Sequence, residues 1–108
     1  MVRVRFFEVK PDQLDRLRSW MAELAERAPE VRETFRQETV RHELAYLVEG
    51  SERPILVYII EAEDLDRASR AVEEHPLPID LEHRQVMTQV LGAAVPAECL
   101  FSMTLDAI

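Results

Sequence analysis

Residues 54–62 read Pro54-Ile55-Leu56-Val57-Tyr58-Ile59-Ile60-Glu61-Ala62. A strand turns successive side chains to opposite faces, so Ile55, Val57 and Ile59 share one side and Leu56, Tyr58 and Ile60 the other. Neither side offers water a polar surface. That is the pattern of a strand covered on both faces. It asks for helices on one side of a sheet and for a second cover on the other.

The flanking segments supply the sheet. Residues 39–49 alternate, with Val40, His42, Leu44, Tyr46 and Val48 on one face and Arg41, Glu43, Ala45, Leu47 and Glu49 on the other. Gly50-Ser51-Glu52-Arg53 reads as the hairpin turn between these two strands. Residues 2–9 alternate too, placing Val2, Val4 and Phe6 opposite Arg3, Arg5, Phe7 and Val9. Residues 98–106 predict a last strand, with Cys99, Phe101, Met103 and Leu105 facing one way.

Helices fill the gaps. Leu14, Leu17, Met21, Leu24 and Ala28 recur at helical spacing, with Trp20 beside them. Pro11 or Asp12 can open that helix. Pro29 predicts a break, after which Val31 and Phe35 carry a short second helix to about Gln37. Asp64 can cap a helix bearing Leu65, Ala68 and Val72. His75-Pro76-Leu77-Pro78 is a stiff connector. Ile79, His83, Val86, Met87 and Val90 then mark a helix over about 79–91, which Gly92 can end.

The expected order is strand, broken helix, strand, strand, helix, helix, strand. This is an α+β chain, residues 1–108 forming a single ferredoxin-like domain of the β-α-β-β-α-β type with a four-stranded antiparallel sheet and helices on one face. Right-handed crossovers put the first and third strands in the centre. The uncovered face is expected to mix Phe7, Val9, Ala45, Leu47 and Leu100 with Arg3, Arg5, Arg41, Glu43, Ser102 and Thr104. Packing it against a second copy gives a homodimeric α/β barrel. The interior is then either a plain interface or a cavity for a small anionic ligand.

Composition narrows the partners. Among 108 residues there are 21 acidic and 13 basic ones, a net charge of −8. Such a surface repels phosphate backbones, so no nucleic-acid partner is expected. No apolar run approaches the ~20 residues of a membrane span, and the N-terminus lacks a signal-peptide pattern, so no membrane association is expected. One cysteine, Cys99, fits a reducing cytoplasm, and its apolar strand predicts a buried thiol. Twelve arginines beside the single Lys10, with no asparagine, read as the codon bias of a GC-rich bacterial genome.

Candidate chemistry centres on three histidines. His75, Asp80 and His83 lie within nine residues, and Asp80 and His83 are i, i+3 on one helix. Asp80 could orient His83 for proton transfer, with Glu43 as a further carboxylate. Joined by His42, the set could instead bind a transition metal. Structural roles compete: Asp80 as a helix cap, His83 as a core residue, His75 as a helix end. No paired metal-ligand motif is present, so no metal is expected. Two glycines cannot build a phosphate loop or a dinucleotide fingerprint, so no cofactor is expected.

Several stretches carry a resemblance. Val9-Lys10-Pro11 ends the first strand, Arg41-His42-Glu43 opens the second, and Glu61-Ala62-Glu63-Asp64-Leu65 leads to a helix. His75-Pro-Leu-Pro-Ile-Asp-Leu-Glu-His83 follows. Together they resemble a small prokaryotic domain-of-unknown-function family, similar to the dimeric α/β-barrel superfamily. That superfamily includes small monooxygenases, haem-degrading enzymes, isomerases, mutarotases and stress-response proteins. The resemblance marks Glu43, Asp64, Asp80 and His83 without assigning them roles.

The functional expectation is a cytoplasmic homodimer with a small-molecule site on the inner sheet face or near His75–His83. Arg5, Arg41, His42, Tyr58 and His75 are its candidate ligand-binding residues. A cofactor-independent isomerase or monooxygenase-like enzyme using His83, Asp80 and Glu43 is one alternative. A purely structural interaction module is the other.

Overall fold

The computed structural model describes residues 1–50 and 52–105. The elements are β1 (Val2–Val9), α1 (Leu14–Glu26), α2 (Ala28–Glu38), β2 (Val40–Val48), β3 (Ile55–Ala62), α3 (Leu65–Glu74), α4 (Pro78–Val90) and β4 (Leu91–Val95). All strand pairs are antiparallel, in the order β2-β3-β1-β4. The chain is thus α+β, with an open four-stranded sheet and four helices among the described residues. β1 and β3 are central, as the crossover argument expects. Each crossover carries a pair of helices, where the split βαβ arrangement has one.

The helix boundaries follow local chemistry. Pro29 has no N–H to continue the α1 ladder, so Arg27 ends one helix and starts the next, with its carbonyl accepting from Glu30 and Val31. Asp64 Oδ1 accepts from the Arg67 N–H at 3.0 Å and caps α3. Asp80 Oδ2 reaches back to the Leu77 N–H at 2.9 Å and secures the start of α4. Arg27 also ties three helices together through Glu23, Glu30 and Glu82, so the charge runs are not wholly local.

The expected last strand is corrected. Residues 98–105 pair with nothing in the sheet, and residue 106 lies outside the described residues. The fourth strand is Leu91–Val95, entered directly from α4, with Leu91 opposite Val9 and Val95 opposite Phe6. Leu91 thereby joins the core. Small residues at Gly92, Ala93 and Ala94 carry little alternation signal, whereas the apolar alternation of 98–106 mimics a buried strand. Gly92 belongs to β4 and ends no helix. Cys99 is exposed, against expectation. The 50–53 turn includes Ser51, which is outside the described residues.

Which sheet face the helices cover is also corrected. Directly opposed residues share a face, so the ladders define three rows under the helices: Arg3–Ile60–Glu43, Arg5–Tyr58–Ala45 and Phe7–Leu56–Leu47. Val9 and Leu56 on this side pack with Leu17, Trp20, Ile79, Val86 and Val90 in the main core. Val40, Ala62 and Ala68 form a second, smaller cluster. The residues expected on the open face are therefore the covered ones, with Arg41 set apart at the β-bulge between Val40 and His42. Leu100, Ser102 and Thr104 line no sheet face.

The open face carries Val4–Ile59–Leu44 and Val95–Phe6–Val57–Tyr46. Val2 is 58% and Tyr46 56% exposed. β3 is apolar on both faces and β1 carries apolar residues on both, and a period of two does not say on which side the crossovers pass. Among the described residues, no helix is long and apolar enough to cross a membrane.

Candidate functional site

Beneath the helices a line of polar side chains crosses from α1 to β2. Trp20 is one helical turn from Leu17 on the buried side of α1, and its Nε1–H donates to His83 Nδ1 at 2.8 Å. An indole nitrogen only donates, so His83 Nδ1 is unprotonated and the ring proton sits on Nε2. That nitrogen lies 3.2 Å from Tyr58 Oη and donates to it. The Tyr58 hydroxyl in turn donates to Glu43 Oε1. The indole and imidazole rings stack at 6.1 Å between centroids.

The protonation states follow from the surroundings. Burial pushes the His83 imidazole down to about 4, so the ring is neutral at neutral pH. Burial raises the Glu43 carboxyl; the Tyr58 hydrogen bond pulls it down and the Asp80 charge adds to the rise. Tyr58 is held well above the ordinary phenol range by burial and then by the charge of Glu43. Glu38, at the end of α2, is pushed up to about 8 by burial first and by Asp80 and Glu43 second. Three carboxyls thus gather near the His83–Tyr58 line.

Arginines supply the opposite charge. Tyr58 and His83 border a pocket of about 190 Å³, shared with Arg3, Arg5, Phe7, Ile60, Met87 and Leu91. Arg3, Arg5 and Ile60 continue into a neighbouring cleft of about 510 Å³, which reaches Glu38, Ser69 and Arg84. Arg3 Nη1 donates to Ser69 Oγ at 3.3 Å. Its Nε is buried with no hydrogen-bond partner. Burial and the adjacent Arg5 both push Arg3 down. Among the described residues neither Arg3 nor Arg5 meets a carboxylate at ion-pair distance.

Of the residues singled out in the sequence, His83, Glu43, Tyr58 and Arg5 come together here. Asp80 stands at the start of α4 and is spent on the Leu77 N–H; Trp20, not Asp80, orients His83. His42 is on the open sheet face, Arg41 is exposed at the bulge, and His75 is exposed at the end of α3, its carbonyl accepting from Gln37. Glu38, Ser69 and the bonding role of Trp20 went unread. Only Trp20 left a trace, as an aromatic flanking the apolar stripe of α1. Among the described residues no group of three or more histidine, cysteine or acidic side chains is placed to hold a metal.

The arrangement can hold an anion against two guanidinium groups that meet no carboxylate among the described residues, and present a phenol to it. His83 Nε2–H steadies negative charge on Tyr58 Oη, and Glu43 can accept the phenol proton. Over residues 1–108 the chain belongs to the family of unknown function DUF6176. No curated protein matches it.

Proposed function

We propose that this DUF6176 member binds a small organic anion in the Arg3–Arg5 cleft. The Tyr58–Glu43 pair, held by His83, moves a proton to or from the bound molecule without a cofactor. Tyr58 would pass its proton to Glu43 and take one from the ligand, and the reverse transfer at a neighbouring atom would complete an isomerisation. The observation that carries this reading is the unpartnered, buried Arg3 Nε beside the Tyr58–His83 pocket. A buried guanidinium nitrogen without an acceptor is costly, and an anion's oxygen would relieve that cost. Phe7, Ile60, Met87 and Leu91 favour an apolar or aromatic body on that anion.

The assembly reading concerns the opposite face of the sheet. Strand order and the two crossovers suit one ferredoxin-like domain over residues 1–108, with helix pairs in place of single helices. Among the described residues the open face bears Glu8, His42 and Glu61 as its charge-bearing side chains near neutral pH, among mostly apolar neighbours. Two copies with a net charge of −8 can meet there with little repulsion, packing sheet on sheet into a homodimeric α/β barrel. The exposed Cys99 thiol suits a reducing cytoplasm.

Benzoate, with inorganic phosphate as a comparator, tests the site by amide chemical-shift mapping. Benzoate should shift Arg5, Tyr58 and His83 in a saturable manner, and Arg5→Gln should weaken it at least tenfold. Shifts confined to surface arginines elsewhere, or none with either anion, would refute the reading.

A further inference from the structure

Beyond Val95 the chain leaves the sheet. The ten residues Pro96–Leu105 carry one charge, Glu98, and four large apolar side chains. Leu100 is 85%, Phe101 80% and Leu105 100% exposed. Between Glu98 and Leu105 the only hydrogen bond among the described residues is from Cys99 Sγ to the Phe101 carbonyl. An apolar segment held away from its own core is stable only if something else covers it.

The same chain exposes a matching surface. β2 is an edge strand, and one row of its backbone N–H and C=O groups meets no neighbouring strand among the described residues. On its open side stand Leu44, Tyr46 and Val48. On its helix side a groove of about 350 Å³ runs between β2 and the α1–α2 pair, walled by Met21, Leu24, Val31, Phe35 and Ala45. Glu43 and Tyr58 lie within this groove. Consecutive arm residues point to opposite sides of a strand, so Leu100 and Phe101 can fill the groove and cover the open row together. The lengths agree: the arm extends about 33 Å and the nine residues of β2 about 30 Å.

We propose that the C-terminal arm of a second copy adds to the β2 edge as a fifth strand and closes the groove over Glu43 and Tyr58. The site is then completed in trans: the partner's arm shuts water out from the β2 side, while the arginine cleft stays open for the ligand. This rests on the dimer proposed above and adds to it a defined contact. It commits the arm to a second copy, because the arm is apolar with one charge, the groove is walled mostly by apolar side chains beside Arg32 and Glu43, and both are present in every chain.

The test uses the full chain and the double variant Leu100→Glu/Phe101→Glu. Light scattering gives the dimer dissociation constant, and amide hydrogen exchange reads β2. Neither side chain packs on its own core, and an unchanged far-UV spectrum will verify the fold. The proposal expects a wild-type dimer, a dissociation constant raised at least tenfold in the variant, and faster exchange across Val40–Val48. A dimer unaffected by the variant overturns the arm alone and leaves the sheet-face dimer standing. A weakened dimer with unchanged β2 exchange also overturns it, because the arm then docks elsewhere. A monomeric wild-type chain overturns both.

Discussion

Replacing Glu38 by glutamine should flatten the fall in stability expected of this protein as pH rises. In the folded chain burial, with Asp80 and Glu43 adding like charge, lifts the Glu38 carboxyl to about 8. In the unfolded chain it returns to the ordinary range near 4.3. Between these values the folded state keeps a proton that the unfolded state has released. Stability is therefore fully present below the unfolded value and is lost as pH rises toward the folded one. The whole difference would correspond to an upper limit of about 5 kcal/mol. Glu38 is only partly buried, and water reduces the cost of its charge, so a loss of about 1–2 kcal/mol between roughly pH 5 and 8.5 is expected. Glutamine has the shape of the neutral carboxyl and cannot ionise.

The assay is urea unfolding followed by fluorescence of Trp20, the only tryptophan and a buried one. With a slope of about 1–1.5 kcal/mol per molar urea, the wild-type midpoint should drop by about 1 M more than that of Glu38→Gln over this range. Comparing the two proteins cancels the contribution of His83, which both retain, and leaves Glu38 together with its coupling to Glu43. If their midpoints move in parallel from pH 5 to 8.5, Glu38 is not held protonated and the electrostatic account of the three carboxyls fails.

Two further outcomes are expected. The His83 imidazole should titrate by NMR near pH 4, while stability present above about pH 6.5 is lost as pH falls toward and through that value; a ring midpoint near 6.5 would contradict its burial. Leu56→Ala, at the centre of the main core, should lower unfolding free energy by about 2–5 kcal/mol, and a loss under 1 kcal/mol would mean that the site collapses around the cavity.

Much of the fold was legible because it is encoded locally. The proline at 29, the cap at Asp64 and the helical spacing of Ile79, Val86 and Val90 each act within one or two turns of chain. The site was legible only as parts. His83 was conspicuous as a histidine on an apolar face, and Tyr58 as a hydroxyl in an apolar strand. Their meeting with Trp20 and Glu43 joins four elements far apart in sequence, and periodicity holds no information on such distances. Glu38 looked like an ordinary end-of-helix acid; its perturbation comes from the neighbours that folding brings.

By itself the sequence determined the first seven elements, their order and an excess of apolar surface beyond what one set of helices can cover. Alternation follows from the geometry of a single strand, so it needs no partner to be read. Tertiary structure decided the choices between equivalent patterns. β3 is apolar on both sides and β1 has apolar residues on both, and only the path of the crossovers selects the face with Val9 and Leu56. Two segments near the C-terminus could serve as the last strand. Leu91–Val95 takes the place because it pairs with β1 directly from the end of α4 and buries Leu91. That pairing leaves the clearer strand pattern, 98–105, outside the sheet.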